Sequence, residues 1–313
     1  MHWIGAEQCF RYNDDFMNTL SYGIGGWQGR NWDPHVNDPT FSEYCGNLTA
    51  NSTLRATSAE ASKTAKHLLA LGGYRKEVHT LLTPLLNFAG WSNQTLAIGD
   101  CASGGQTQNE CWTTHNTTYY QQDDLSQSWR SWPYQYCSQW GFLQTGSGVP
   151  KNQLPLISRL IDLPYEEIIC REAFNITTPP NTEIINKYGG YDIAYDRLAF
   201  IDGEVDPWRR ATPHAPEAKP RTSTTERPFI LISGAVHHWD ENGLFPNETT
   251  ASLPPVPVVQ TQREEVTFVK AWMAEFNAQK KRWGSECAFR VRVLGPPWSA
   301  FISAYYRILV GRP

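Results

Sequence analysis

Two short apolar runs in the second half of the chain stop abruptly at turn residues. Arg197 to Ile201 ends at Asp202-Gly203, and Pro228 to Ile232 ends at Ser233-Gly234. Unbroken apolar runs bounded by turn formers predict buried strands of a mostly parallel sheet, covered on both faces. A polar, Pro- and Thr-rich loop over 211–227 separates them, and a second Pro-rich loop follows over 246–258. From Gln262 to Phe276, Val266, Val269, Met273 and Phe276 recur on one helical face, led in by Arg263, Glu264 and Glu265. That pattern predicts an amphipathic helix laid on the sheet through this face. Strand, loop, strand, loop, helix is an α/β ending.

The first half reads differently. Residues 1–55 predict short helices and loops. Ala56 to Leu71 predicts a helix that stops at Gly72-Gly73. Glu77 to Phe88 predicts another, with Val78, Leu81, Leu82, Leu85 and Leu86 at helical spacing. Residues 91–128 are polar and read as exposed loops. The apolar run from Phe301 to Val310 is short and carries Arg307. It predicts a buried strand or helix rather than a membrane span.

Charge narrows the function classes. The net charge of -4 gives no basic footprint for nucleic acid. Seven cysteines are present, none in a Cys-X-X-Cys pair, which weighs against zinc or thioredoxin-like chemistry. Acceptor motifs for N-glycosylation stand at Asn47, Asn51, Asn93, Asn116, Asn175 and Asn247. Composition alone would give roughly two or three. Scattered cysteines and many acceptor sites point to an oxidising, secretory route. The segment Met1 to Glu7 lacks the features of a signal peptide, so one is expected upstream. The odd cysteine count also leaves one thiol without a partner.

In α/β sheets, functional groups sit just past the carboxyl ends of the strands. Asp206 follows the first run, in Asp202-Gly203-Glu204-Val205-Asp206-Pro207-Trp208. His237 follows the second, in Gly234-Ala235-Val236-His237-His238-Trp239-Asp240. Acid then base on the last two strands is the order of a hydrolase triad. A carboxylate in that place orients the imidazole, whose other nitrogen takes the nucleophile's proton. A carboxylate after a strand also serves as a turn residue or helix cap, so the order alone does not decide.

The wording of the segments does more. Asp-Gly-X-X-Asp-Pro-Trp followed by Gly-Ala-X-His-His-X-Asp resembles the signature of the prolylcarboxypeptidase family of serine peptidases. Trp132-Pro133-Tyr134-Gln135-Tyr136-Cys137 resembles a third segment of that family, near the end of its helical insertion. Asp202 stands where the family usually has Asn. The resemblance implies Asp206 as triad acid, His237 as general base and Trp208 beside the S1 pocket. Phe142 and Trp140 are further candidates for the same wall, and a flat aromatic wall suits a proline ring. It also implies a Cys137–Cys170 disulfide.

The implied architecture is the C-terminal part of an α/β-hydrolase sheet with a helical lid. The lid would take residues 1–150, the hydrolase part 151–280, and 281–313 would form a tail assigned to neither. No Gly-X-Ser-X-Gly elbow occurs. Ser103 and Ser147 lie in Gly-containing segments within the expected lid, so the nucleophile is expected upstream. The resemblance implies a peptide or protein substrate with proline, no cofactor, and a secreted or vacuolar location. A homodimer stays open. The competing readings are an inactive fragment or a peptide-binding pseudoenzyme. A carbohydrate-binding module would require β-sandwich periodicity, which is not seen.

Overall fold

The computed structural model describes residues 10–100 and 107–291. The segment containing Ser103, the run from Phe301 to Val310 and most of the expected tail lie outside the described residues. So do Cys9 and Cys101.

The first helices form as the local pattern dictates. α1 (Asn13–Leu20), α2 (Tyr22–Gly25) and α3 (Thr40–Thr49) are short and joined by turns. α4 (Ala59–Leu71) starts where the Ser58 hydroxyl accepts the Ala61 N–H and stops at Gly72. α5 (Val78–Ser92) packs against both α3 and α4. Asn87 of α5 is buried. It donates to Ser52 O and accepts from Leu54 N, so the loop before α4 is bonded to α5.

Residues 91–128 meet the expectation of exposed loops only in part, over 121–126 for example. Trp91, Leu96 and Tyr120 are buried, and α6 (Gln108–Trp112) and α7 (Thr117–Tyr120) form within the segment. The polar residues there act as caps. Thr107 and Glu110 make a reciprocal capping box, and Asn116 caps α7. Local polarity thus reports helix starts as well as solvent.

One core lies where α7 meets α8 (Ser131–Gln135), α9 (Leu163–Glu166) and α10 (Ile168–Phe174). Tyr120, Ile161, Tyr165 and Ile168 are its buried members. Beside it Asp15 is fully buried, a costly place for a carboxylate. Donors from Thr113 Oγ1, Thr114 N, Thr114 Oγ1 and Tyr165 OH satisfy it, at 2.7 to 3.1 Å. This network holds α1 to the loop at 113–114 and to α9. A disulfide joins Cys137 to Cys170, while Cys45 is free and Cys111 is disulfide-bonded.

Beyond α11 (Glu183–Asn186) come β1 (Phe200–Gly203) and β2 (Phe229–Ile232). They pair in parallel, with Phe200 opposite Phe229 and Gly203 opposite Ile232. Each strand buries only its last residue, so the expected coverage of both faces is not met among the described residues. The second core gathers Trp32, Ile232, Ala235 and Val258. Trp32 comes from the N-terminal half and donates from its indole to Trp239 O, while Trp239 donates back to Arg30 O. Packing therefore crosses the expected boundary near residue 150.

The last helix, α12 (Val256–Val291), is longer than expected and turned differently. Val258, Thr261 and Phe268 are buried, whereas Val266, Val269, Met273 and Phe276 are about half exposed. The face chosen from the apolar pattern is therefore not the one laid on the strands. On the packed side Trp272 meets Phe268 at 4.7 Å, and its indole donates to Thr225 O in the loop before β2.

Candidate active site

The two strands bring Asp206 and His237 together. Beyond β1, Glu204 N donates to Ile232 O and Val205 N to Ala235 O, so the ladder continues past the strand end. The two loops run in contact. A Cβ at Gly203 would stand 2.1 Å from Val236 O, so only glycine admits this approach. Gly234 takes a φ of +69°, which turns the chain out of β2 toward His237.

Asp206 then caps the single turn Pro207–Ala211, accepting the Trp208 N–H on Oδ1 at 2.8 Å. Its other oxygen, Oδ2, lies 2.8 Å from His237 Nδ1. The cap contact and the histidine contact coexist on this residue, because each uses a different oxygen. The Asp206 side chain is 7% exposed and the His237 side chain 31%. In the neutral ring, a carboxylate at Nδ1 favours the proton on that nitrogen and leaves the lone pair on Nε2. Nε2 makes no hydrogen bond among the described residues. His238, with φ +58°, lies edge-on against the His237 ring at 3.7 Å and pairs with Glu241.

Aromatic side chains wall the neighbouring space. The Trp208 ring centre lies 6.4 Å from that of His237. Phe142 stacks on Trp208 at 4.4 Å and Trp132 meets it edge-on at 5.6 Å. Trp140 touches Trp132 rather than Trp208, at 6.2 Å, and is more exposed. Trp208, Phe142 and Trp132 line a cavity of about 1210 Å³, together with Trp27, Tyr136 and Glu166.

Several positioning contacts have no local sequence signal. Trp208 Nε1 donates to Gln28 Oε1 at 2.6 Å, and Trp27 Nε1 to Val205 O at 2.8 Å. Glu204 accepts from Ser233 Oγ and Gly234 N, both at 2.9 Å, tying the two loops at their roots. These two bonds hold its carboxyl below the usual range. Asp202, the departure noted above, has a partner of its own. His214 Nδ1 lies 2.6 Å from Asp202 Oδ2, and its ring stacks on Phe229 at 3.7 Å. This buried pair returns the far end of the Trp208 loop to the strands.

The acceptor asparagines divide. Asn51, Asn116, Asn175 and Asn247 are exposed. Asn47 and Asn93 are half-buried, and Asn47 donates to Glu43 O and accepts from Arg55. No helix among the described residues is long and apolar enough to cross a membrane.

Comparison with known proteins agrees on one family. A probable extracellular serine carboxypeptidase of Arthroderma benhamiae is 52% identical over 83% of this chain and 36% of its own length. The serine protease vicPb of Bipolaris victoriae is 29% identical over 72% of the chain and 42% of its own length. A thymus-specific serine protease of Mus musculus is 27% identical over 38% of the chain and 22% of its own length. The chain thus spans less than half the length of these relatives. The serine carboxypeptidase S28 family matches residues 86–253, more than half of the chain and both segments that carry Asp206 and His237. The chain belongs to the serine carboxypeptidase S28 family.

Proposed function

We propose that this chain supplies the acid, the base and the substrate wall of a secreted serine peptidase that cleaves after proline. The observation that carries the reading is the Asp206–His237 hydrogen bond beside the Trp208–Phe142 stack. Asp206 holds Nδ1–H, and Nε2 takes the proton of a serine hydroxyl as its oxygen attacks the peptide carbonyl. The same proton passes to the leaving amine, and water then hydrolyses the acyl ester. The reading needs a serine opposite Nε2, in a part of the protein beyond these residues. Trp208 and Phe142 receive the proline ring, which is apolar and rigid and loses little entropy on binding. The relative described as extracellular, the disulfides and the exposed acceptor asparagines favour a secreted glycoprotein.

The test compares two reporter peptides that differ only in proline or alanine before the scissile bond. The proline peptide should be cleaved faster, and His237→Ala should lower turnover by about 10⁴-fold or more while the melting temperature barely moves. Normal turnover in the variant would remove the triad assignment. Equal rates on both peptides would remove the proline preference.

A further inference from the structure

The wall of the cavity that Trp208 lines contains a carboxyl group that the proposed chemistry does not use. Glu166 ends α9 and faces the same cavity as Trp208, Phe142 and Trp132. Its side chain makes no hydrogen bond or ion pair among the described residues. Burial pushes its carboxyl up to about 7. The phenol of Tyr136, also in the cavity wall, is pushed up to about 12 by burial and by the charge of Glu166. Asp38 is the other charged side chain lining this cavity among the described residues, and its Oδ1 already accepts from Thr40 N. The Cys137–Cys170 disulfide fastens the segment after Tyr136 to the helix after Glu166, which fixes the two side chains relative to each other.

An unpartnered carboxyl in a half-buried wall is costly once it ionises, unless a cation meets it. With Trp208 holding the residue whose carbonyl is attacked, the cavity beyond it takes residues on the amino-terminal side of that bond. The chemistry that complements an acid there is an ammonium group. We propose that Glu166 is a specificity-determining residue that receives a peptide ammonium on the acyl side of the scissile bond. This rests on the reading above that places the substrate's proline against Trp208. The ammonium could be the α-amino terminus or a lysine side chain, and the ligand set below separates them.

The probes are Ala-Pro, N-acetyl-Ala-Pro and N-acetyl-Lys-Pro, titrated calorimetrically into the protein and into Glu166→Gln. Near pH 8, Ala-Pro should bind about tenfold tighter than N-acetyl-Ala-Pro. The preference should shrink towards parity near about pH 5, where Glu166 is protonated. In Glu166→Gln it should be lost at both pH values, with the fold intact by circular dichroism. Recovery by N-acetyl-Lys-Pro would identify a side-chain ammonium, and failure of that ligand the α-amino terminus. Equal binding of free and acetylated peptides, an unchanged preference in the variant, or no binding of any probe would each overturn the proposal. Turnover of the proline reporter, measured on the same protein, tests the reading beneath it separately. Cleavage without an ammonium preference sinks only the Glu166 assignment.

Discussion

Asp206 Oδ2 and His237 Nδ1 lie 2.8 Å apart, each just past the end of one of two paired strands, yet they meet solvent unequally. Asp206 is nearly sealed, and His237 keeps about a third of its side-chain surface. That asymmetry suits the relay proposed above. The carboxylate is held by the Trp208 N–H and the imidazole, away from competing water. The outer nitrogen of the imidazole stays open to an incoming hydroxyl.

A carboxylate-to-amide change isolates this relationship. Asp206→Asn keeps an oxygen to accept from Trp208 N, so the cap and the loop survive. The amide can present its N–H to Nδ1, which favours the tautomer with the proton on Nε2, the wrong one for a base. We expect the proline-reporter turnover of the protein to fall by about 10⁴-fold with an unchanged melting temperature. A loss below about tenfold would show that the carboxylate acts as a cap and little else.

The close approach of the two loops gives a second expectation. Gly203→Ala puts a methyl group against the Val236 carbonyl, at 2.1 Å before any relaxation. The obstacle is backbone, so the strands themselves must part. Destabilisation of about 3 kcal/mol or more is expected by denaturant unfolding. Because Asp206 and His237 hang from the two loops that separate, turnover should fall even in the fraction that remains folded. A variant as stable as the parent would mean that the loops are not packed this closely.

Parts of this arrangement are legible in the sequence because they are local. The runs ending at Asp202-Gly203 and Ser233-Gly234 mark β1 and β2, since an apolar run and a turn dipeptide need only neighbours. Ser58 and Gly72 mark the ends of α4 for the same reason. The orientation of α12 was not legible. Its buried stripe uses Thr261 and places Trp272 on a loop carbonyl, while the more hydrophobic Val266, Val269, Met273 and Phe276 stay half exposed. Hydropathy ranks side chains by transfer from water and takes no account of where an indole N–H finds its acceptor. Gln28, Trp27 and Glu166 were missed because their roles depend on partners far away in sequence. Asp202 did carry a signal, as a departure from the family pattern, but its partner His214 could be found only in three dimensions.

The acid groups behind the histidine loop predict how stability changes with pH. Glu265 of α12 is pushed up to about 7, chiefly by burial and then by the negative charge of Asp240 beside it. Asp240 is itself raised by burial, with Glu241, His238 and Asp202 also acting on it. A proton on Glu265 removes the like-charge repulsion with Asp240, where α12 meets the loop that carries His237. The folded state binds this proton more tightly than the unfolded chain, in which a glutamate titrates near about 4.3. Its contribution is therefore fully present below that value and is lost as pH rises through about 7. Solvent screening leaves on the order of 1 kcal/mol for a group this incompletely buried. The melting temperature should decline between about pH 5 and pH 8, and Glu265→Gln should flatten that decline, because an amide stays uncharged at every pH. Glu166 titrates in the same window, so some slope should survive in Glu265→Gln and shrink further in the double variant with Glu166→Gln. A parent protein whose stability rises across this range would refute the role given to Glu265.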